Sequence, residues 1–158
     1  MHDALIDGRA FRVLTVVDQW SRWSPILEVA QGMSGRAVAD ALDRAIARHG
    51  APRSITDDHG TEFTSRALDE WAYRRGVALD FIRPGKPAES VFIEACNGRL
   101  RDECLNARQF LSIEEARRKI EAWRVNCNLH RPHSSLGQLT PREYSRRSGI
   151  EYKDTTIF

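Results

Sequence analysis

The sequence predicts a single α/β domain, in which a mixed sheet is flanked by helices. Residues 11–17 (FRVLTVV) form a nearly continuous apolar and β-branched run, which is typical of a buried strand. Residues 34–50 instead repeat apolar side chains every three or four positions, as a helix packed on a sheet does. With 158 residues, 41% of them apolar and 29% charged, the chain is long enough for one domain with its own core.

The first part of the chain alternates strand and helix signals. Asp18 ends the first strand and a turn follows it. Residues 24–30 (SPILEVA) predict a second strand, which should pair with the first as an antiparallel hairpin. Ser34 and Gly35 then open a helix that Gly50 ends.

Two further short strands are predicted in the middle of the chain. They lie at 54–56 and 78–82, and the helix between them is capped by Thr64 and ended by Gly76. The segment 83–90 that follows contains two prolines and a glycine, so it predicts a loop.

The rest of the chain is mainly helical. One helix is predicted over about 90–106, and Ser112 with Glu115 forms a capping box for the next. The apolar stripe of that second helix consists of Ala116, Ile120, Trp123 and Cys127. Residues 148–158 carry no pattern and are expected to fray. We therefore divide the chain into a domain at 1–147 and a tail at 148–158.

Two adjacent carboxylates follow the strand at 54–56. Asp57 and Asp58 should emerge at its C-terminal end, where ligand sites lie in α/β sheets. Acidic residues are also common in turns for conformational reasons alone. Glu94 follows Asp58 with thirty-five residues between them and lies on a predicted helix. A strand end and a helix that meet can together hold a divalent metal through carboxylate oxygens, so Asp58 and Glu94 are candidate metal ligands.

The helix that carries Glu94 has two distinct faces. One face is formed by Glu94, Asn97, Gly98 and Arg101, and the other by Ile93, Cys96, Leu100 and Cys104. On the first face, Asn97 is placed to hold the Glu94 carboxylate, and Arg101 to meet a phosphate group of a ligand. The alternative for Arg101 is an ion pair with acids on its own helix.

Basic residues are concentrated in the C-terminal part of the chain. Residues 1–98 contain twelve Lys and Arg against fourteen acids, whereas residues 99–147 contain eleven against six. Such a surface would suit phosphate contacts, although a solvated helix face has the same composition. The candidates are Arg99, Arg101, Arg117, Arg118, Lys119, Arg124, Arg131, Arg142, Arg146 and Arg147.

Composition excludes several classes of protein. No run of eighteen apolar residues predicts a membrane span, and the N-terminal residues do not resemble a secretory signal. Three cysteines without CxxC spacing favour reduced thiols and hence a cytoplasmic protein. Cys127, His130 and His133 form a C-x2-H-x2-H string, but without a fourth ligand it does not predict zinc.

Four ordered motifs resemble the integrase core of bacterial insertion-sequence transposases, which is similar to retroviral integrases. They are TDDHGTEFTSRAL, FIRPGKP, VFIEACNGRLRDECLN and NLHRPHSSLGQLTPREY, and the match covers about residues 3–147. The resemblance implies a ribonuclease H-like fold and an Asp, Asp, Glu triad, with Asp58 as the second acid and Glu94 as the third. It also implies two Mg²⁺ (or Mn²⁺) ions, DNA at the transposon ends and target, and a homo-oligomer or assembly with a full-length transposase.

The same resemblance indicates which residues contact DNA, and Asn97 and Arg101 on the Glu94 face are two of them. Lys86 in the proline-rich loop is a candidate phosphate contact, in a loop where Ala88 and Glu89 replace polar residues of the family. Arg131 and His133 belong to the RPHSSL signature. That signature either touches DNA or only supports the fold.

Some family features are missing from this sequence. Similar proteins carry a W-x-x-D strand just before the segment that matches Asp3, and Asp3 is not that first acid by position. We therefore expect an N-terminally shortened chain with little strand transfer. The strands at 11–17 and 54–56 should be left with open edges, which predicts marginal stability or association. His59 stands in place of the usual asparagine, and Ala95 in place of a small hydroxyl residue.

Three functions remain open at this point. The first is the DNA-integration core of a transposase. The second is a catalytically silent DNA-binding or oligomerisation remnant, and the third is a nuclease of the same fold. The RPHSSL segment favours a transposase over a nuclease.

Overall fold

Two small sheets and five helices organise the part of the chain that the structure describes. This computed structural model describes residues 1–57, 65–81 and 90–152. The strands are β1 (His2–Ala4), β2 (Ala10–Val16), β3 (Ile26–Ala30), β4 (Ser54–Asp57) and β5 (Ala78–Phe81). The helices are α1 (Gly35–His49), α2 (Arg66–Arg75), α3 (Val91–Leu100), α4 (Ile113–His130) and α5 (Pro141–Arg147). A π-helical turn (Arg101–Leu105) continues α3, and a short 3₁₀ turn (Ser134–Leu136) follows α4.

The first sheet is antiparallel, with strand order β1-β2-β3. Its β2–β3 hairpin pairs Val13 with Val29, which confirms the hairpin predicted from the sequence. β1 was not predicted, because its three residues have no strand pattern of their own. It forms because β2 supplies the partner: the Val13 N–H donates to the Met1 carbonyl at 2.9 Å. The expectation of an open edge along the whole strand at 11–17 is therefore wrong, since β1 pairs with Ala10–Arg12 of β2.

The second sheet pairs β4 with β5 in parallel, with Ser54 opposite Ala78. Among the described residues, β4 pairs with no other strand, so the two sheets are separate ladders. Parallel neighbours require a crossover connection, which α2 provides here. Asp57 lies at the C-terminal end of β4, at the edge of this sheet.

Helices cover both faces of the antiparallel sheet. Phe11, Val13, Leu27 and Val29 point to one face and pack with residues of the α3 and α4 region. Leu14 and Ile26 point to the other face and pack with α1 and α2. The alternation follows from the two-residue period of a strand, so one hairpin serves two apolar cores.

The ends of the first two helices are set by local side chains. Ser34 caps α1 and Gly50 ends it at φ 87°, as predicted. For α2 the cap is Ser65 rather than the predicted Thr64, which lies outside the described residues. Gly76 ends α2 in the left-handed conformation at φ 65°, where a residue without Cβ has no steric cost.

The cap of α4 differs in one detail from the predicted capping box. The Ser112 hydroxyl accepts the N–H of Glu115 as expected. The Glu115 carboxylate, however, accepts the N–H of Leu111 at 2.7 Å instead of that of Ser112. A complete capping box, which was not predicted, joins Thr140 and Glu143 at the start of α5.

The inner face of α4 becomes polar towards its C-terminal end. Ala116 and Ile120 are fully buried, whereas Trp123 and Cys127 of the predicted stripe are only partly buried. The buried positions that continue the stripe are Arg124 and Asn128, each four residues further along the helix. These residues cannot be exposed contacts for DNA, so the assignment of Arg124 to a phosphate-contacting surface is wrong.

Arg124 and Asn128 bind the backbone of Ser24, just before β3 begins. The Ser24 N–H donates to Asn128 Oδ1 and the Asn128 Nδ2 group donates to the Ser24 carbonyl, both at 2.9 Å. Arg124 Nη1 donates to the same carbonyl at 2.7 Å. Ser24 is buried, so its backbone groups would otherwise lack partners.

The turn between β2 and β3 is closed by Asp18 and by a residue of the C-terminal segment. The Asp18 N–H donates to the Trp23 carbonyl at 2.8 Å. Asp18 Oδ2 accepts the hydroxyls of Ser21, at 2.5 Å, and of Tyr152, at 2.9 Å. The Tyr152 ring stacks on Trp23 with centroids 4.9 Å apart. The expected fraying from residue 148 onwards is therefore wrong for Tyr152, whereas residues 153–158 lie outside the described part.

None of the described helices combines the length and the apolar character that a membrane crossing requires.

We predict that Asn128→Ala lowers the free energy of unfolding by about 2–3 kcal/mol, because it removes two buried hydrogen bonds to Ser24. Urea denaturation followed by circular dichroism measures this. Asn126→Ala is the control, because Asn126 is an exposed residue of the same type on the same helix. Equal effects of the two changes would contradict the inferred role of Asn128.

We also predict that Tyr152→Ala lowers the free energy of unfolding by about 2 kcal/mol, through loss of the ring stack and of the bond to Asp18. Tyr152→Phe keeps the stack and should cost about 1 kcal/mol. Tyr73→Ala is the matched control, because the Tyr73 side chain is 90% exposed and should change stability by less than about 0.5 kcal/mol. A fully stable Tyr152→Ala variant would show that the C-terminal segment contributes nothing to the fold.

Candidate active site and nucleic-acid interface

α3 carries the one predicted metal ligand that lies within the described residues. Glu94 is in the first turn of this helix and its side chain is exposed. The Ser90 hydroxyl donates to Glu94 Oε1 from the residue that precedes the helix. This hydrogen bond orients the carboxylate towards solvent, as a residue that supports a metal ligand would do.

Asn97, one turn after Glu94, connects α3 to the antiparallel sheet. Its Oδ1 accepts the Thr15 hydroxyl of β2 at 2.8 Å, and both side chains are partly buried. The helical spacing alone placed Asn97 on the Glu94 face, as a residue that holds the carboxylate or contacts DNA. The observed bond instead fixes the helix to the sheet, while the Nδ2 group is not used by Thr15.

Arg101 lies where α3 passes into the π-helical turn. Its Nη2 donates to the His2 carbonyl of β1 at 3.2 Å. The predicted alternative of an ion pair with acids on its own helix is therefore not what the structure shows. The bond is exposed, so Arg101 both joins α3 to the sheet edge and remains at the surface.

Arg131 is held by an acid of the π-helical turn. Its Nη1 and Nη2 groups contact the two oxygens of Glu103, each at 2.6 Å. The Trp123 Nε1–H donates to Glu103 as well, at 2.9 Å. These donors hold the pKa of Glu103 below its usual range, and Glu103 in turn raises the pKa of Arg131. The pair fixes the start of the RPHSSL segment, so the geometry favours a supporting role for Arg131 over a free phosphate contact.

His133 lies three residues after the end of α4. Its backbone N–H donates to the Leu139 carbonyl at 2.9 Å, which closes the RPHSSL segment on itself. Its Nε2 atom is buried without a hydrogen-bond partner in the described structure. Burial lowers the pKa of His133, and the positive charges of Arg99, Arg131 and Arg22 lower it further.

Asp58 and Lys86 lie outside the described residues, as do His59, Ala88 and Glu89. The predicted meeting of Asp58 and Glu94 on one cation therefore stays a prediction. Within the ranges that the structure describes, no three His, Cys, Asp or Glu side chains come together as a metal cluster.

The basic C-terminal surface is divided between paired and unpaired charges. Arg117 donates to the Val29 carbonyl at 2.9 Å, and Lys119 forms an ion pair with Glu115 at 2.6 Å. Arg146 pairs with Glu151 at 2.8 Å. In the described structure, no hydrogen bond or ion pair engages the side chains of Arg99, Arg118, Arg142 and Arg147. The number of Lys and Arg residues in the sequence is therefore larger than the number of side chains that are available to bind an anion.

Sequence reasoning missed Arg22 altogether. This residue lies in the turn between β2 and β3, and its guanidinium carbon is 3.4 Å from the centre of the Phe92 ring of α3. The segment DQWSRW was interpreted only as a turn. Nothing in the neighbouring residues indicates that its arginine contacts a helix seventy residues further along the chain.

Solved structures of viral integrases share this fold. The catalytic core domain of HTLV-2 integrase, in complex with magnesium, superposes with a TM-score of 0.70 at 16% identity. The match covers 91% of this chain and 90% of that one. It confirms the predicted ribonuclease H-like fold class.

Sequence comparisons lead to insertion elements. An uncharacterized 31.7 kDa protein of insertion element IS407 from Burkholderia multivorans is 48% identical over 145 residues, covering 92% of this chain and 52% of the relative. The transposase InsF for insertion sequence IS3A from Escherichia coli is 25% identical over 137 residues, covering 84% and 47%. The chain thus spans about half the length of these relatives. Two family models, both described as integrase core domain, match residues 1–87 and 75–141. The chain belongs to the integrase core domain family of transposases and retroviral integrases.

Proposed function

We propose that this chain is the integrase core of an insertion-sequence transposase, whose reaction is the cutting and joining of DNA by metal-dependent phosphoryl transfer. The observation that carries the proposal is the exposed Glu94 carboxylate, which Ser90 orients on a helix fixed to the sheet. Family membership supplies the reaction class, and Glu94 is the described residue that suits it. Asp58 and Glu94 are the proposed metal ligands and catalytic residues.

The donor set suits Mg²⁺ or Mn²⁺. Carboxylate oxygens are hard ligands, and Glu94 offers them at the surface. Ser90 occupies Oε1, which leaves Oε2 to face a cation shared with Asp58. Two such ions, as in the family, would activate water or a 3′-hydroxyl and stabilise the leaving oxygen.

The chain's own residues position this carboxylate. Asn97 and Arg101 bind β2 and β1 respectively, so α3 is attached to the sheet at two successive turns. A rigid helix keeps the ligand in place, which a site for in-line phosphoryl transfer requires. Asn97 through Nδ2, Arg101 and Lys86 are proposed to contact the phosphates of the transposon end and target.

DNA as partner, assembly into a homo-oligomer and a location in the cytoplasm complete the proposal. The three cysteines are free thiols, with Cys96 and Cys127 partly buried and Cys104 buried, as expected where disulfides do not form. Burial raises the pKa of Cys96 to about 11 and that of Cys127 to about 12, so neither is a nucleophile at neutral pH.

We predict that Glu94→Gln lowers metal-dependent DNA cleavage and joining at least about 100-fold, because a neutral amide is a poorer ligand for a divalent cation. The assay follows a labelled insertion-sequence end in Mg²⁺ or Mn²⁺. Glu114→Gln is the matched control, because Glu114 is an exposed acid at the start of α4.

The same assay tests the competing function. Salt-sensitive DNA binding without metal-dependent cleavage by the unaltered chain would favour the catalytically silent DNA-binding or oligomerisation module. Cleavage that survives Glu94→Gln undiminished would remove Glu94 from the site.

We further predict that Ser90→Ala lowers the affinity for Mn²⁺ about tenfold, because the Glu94 carboxylate loses the hydroxyl that orients it. Ser90→Thr keeps a hydroxyl and should retain the affinity. Titration calorimetry with Mn²⁺ measures both variants, and an unchanged affinity in Ser90→Ala would show that the orientation of Glu94 does not depend on Ser90.

A further inference from the structure

Two nitrogen-bearing side chains near the start of α3 have buried groups that nothing in the described structure satisfies. They are Arg22, through Nε and Nη1, and His133, through Nε2. Buried donors of this kind are rare, because each forgoes its hydrogen bonds to water. A guanidinium and an imidazole both bind oxyanions, so their common ligand class is an anion with several oxygens.

The fold holds the segments of these two residues together. Arg22 lies two residues before Ser24, and His133 lies five residues after Asn128. Ser24 and Asn128 are joined by the reciprocal pair of 2.9 Å hydrogen bonds. The turn that contains Arg22 and the segment that contains His133 are therefore both tied to this buried contact.

Arg22 is held in an unusual conformation. Its φ is 62°, in the left-handed region that residues with a Cβ rarely adopt. The Arg22 N–H donates to the Asp18 carbonyl at 2.9 Å, which keeps the turn in this shape. A glycine would satisfy the backbone better, so the arginine side chain has a role that the turn itself does not need.

The Arg22 guanidinium lies against α3. Its central carbon is 3.4 Å from the centre of the Phe92 ring, and this cation–π contact fixes the guanidinium. Nε and Nη1 of this guanidinium are buried and Nη2 is not among the buried atoms, so the edge that can contact a phosphate is the one at Nη2. Phe92 and Glu94 share the first turn of α3, so this edge lies beside the helix that carries the proposed catalytic carboxylate.

The surroundings are positive. Arg99 and Arg131 add to the charge of Arg22 around His133, and Glu103 neutralises Arg131. The Asp18 carboxylate lies near Arg22 and offsets part of its charge, so three arginines face two acids around His133. The cluster thus keeps an excess of positive charge that an anion would offset.

We propose that Arg22 and His133 form a phosphate subsite beside α3, which takes a backbone phosphate of bound DNA. The choice of DNA as the source of the phosphate rests on the proposed function. The affinity for an oxyanion rests on the unsatisfied groups of Arg22 and His133 and on the positive charge around His133. Phe92 acts as a positioning residue, because it orients the guanidinium without touching the ligand.

The first test uses inorganic phosphate and the full chain. The pKa of His133, measured by NMR, should rise saturably as phosphate is added, because a bound anion stabilises the imidazolium form. In Arg22→Gly the rise should disappear. Glycine suits the left-handed backbone at position 22, so this variant should fold. Arg22→Gln is the second variant, and thermal unfolding checks both. A His133 pKa that phosphate does not move, or moves equally in Arg22→Gly, would overturn the proposal.

The second test measures binding of a DNA duplex over a range of salt concentrations. Arg22→Gly should weaken binding about tenfold and reduce the slope of log affinity against log salt by about 1. Arg36→Gln is the charge-matched control, because Arg36 is an exposed cation at the start of α1 and is not a candidate phosphate contact, so it should leave most of the affinity. Equal effects of the two variants would overturn DNA as the source of the phosphate.

The two proposals fail in different ways. If the chain binds DNA through Arg22 but cleaves none with any metal, the proposed reaction fails and the subsite stands. If cleavage occurs and the Arg22 variants bind DNA as well as the unaltered chain, the subsite fails and the reaction stands.

Discussion

The reciprocal hydrogen bonds between Ser24 and Asn128 are the constraint on which the arrangement of this domain depends. Ser24 lies where the chain leaves a turn and enters β3, and its backbone is buried before the ladder begins at Ile26. Only a polar residue on the packed face of α4 can satisfy it. Asn128 does so at both the N–H and the carbonyl, and Arg124 binds the carbonyl as well. Leaving these backbone groups unpaired would cost free energy, so α4 packs against the start of β3 in one register. Apolar packing alone does not impose such a register.

That contact has consequences for the candidate site. It places the turn containing Asp18 and Arg22 beside the segment that follows α4, and both lie near α3. The stacking of Arg22 on Phe92 and the Arg131–Glu103 pair then connect those two segments to α3 and to its π-helical extension. A π-helical turn adds one residue per turn and rotates the side chains after it about the helix axis, and such turns are frequent at functional sites. Glu103 reaches Arg131 from this turn.

The charged surface shows how the fold selects among residues of the same type. Eleven Lys and Arg residues occur between 99 and 147, but their environments differ widely. Arg124 is 3% exposed and serves the backbone of Ser24, whereas Arg131 is neutralised by Glu103. Exposed pairs such as Arg146 with Glu151 contribute little to stability, yet they reduce the charge that DNA would meet. The capacity to bind phosphate is therefore concentrated in fewer residues than a count suggests.

The sequence by itself determined the local structure of this protein. The hairpin, the helices and the end signals at Ser34, Gly50 and Gly76 follow from periodicity and from the backbone preferences of single residues. The four ordered motifs, from TDDHGTEFTSRAL to NLHRPHSSLGQLTPREY, were sufficient to identify the integrase core family and its fold. These features are readable because they depend on neighbours within a few positions along the chain.

The tertiary structure alone decided the environment of the polar residues. Arg124 occupies the same helical phase as Ile120, and its burial depends on the Ser24 carbonyl, a hundred residues away, together with the ion pair to Glu121 on its own helix. The pairing of β1, the anchoring of Asn97 by Thr15 and the contact of Arg22 with Phe92 also join distant segments. Neither the periodicity nor the composition of the sequence indicates which residues form a hydrogen bond between such segments. Its partners become neighbours only when the apolar cores have packed.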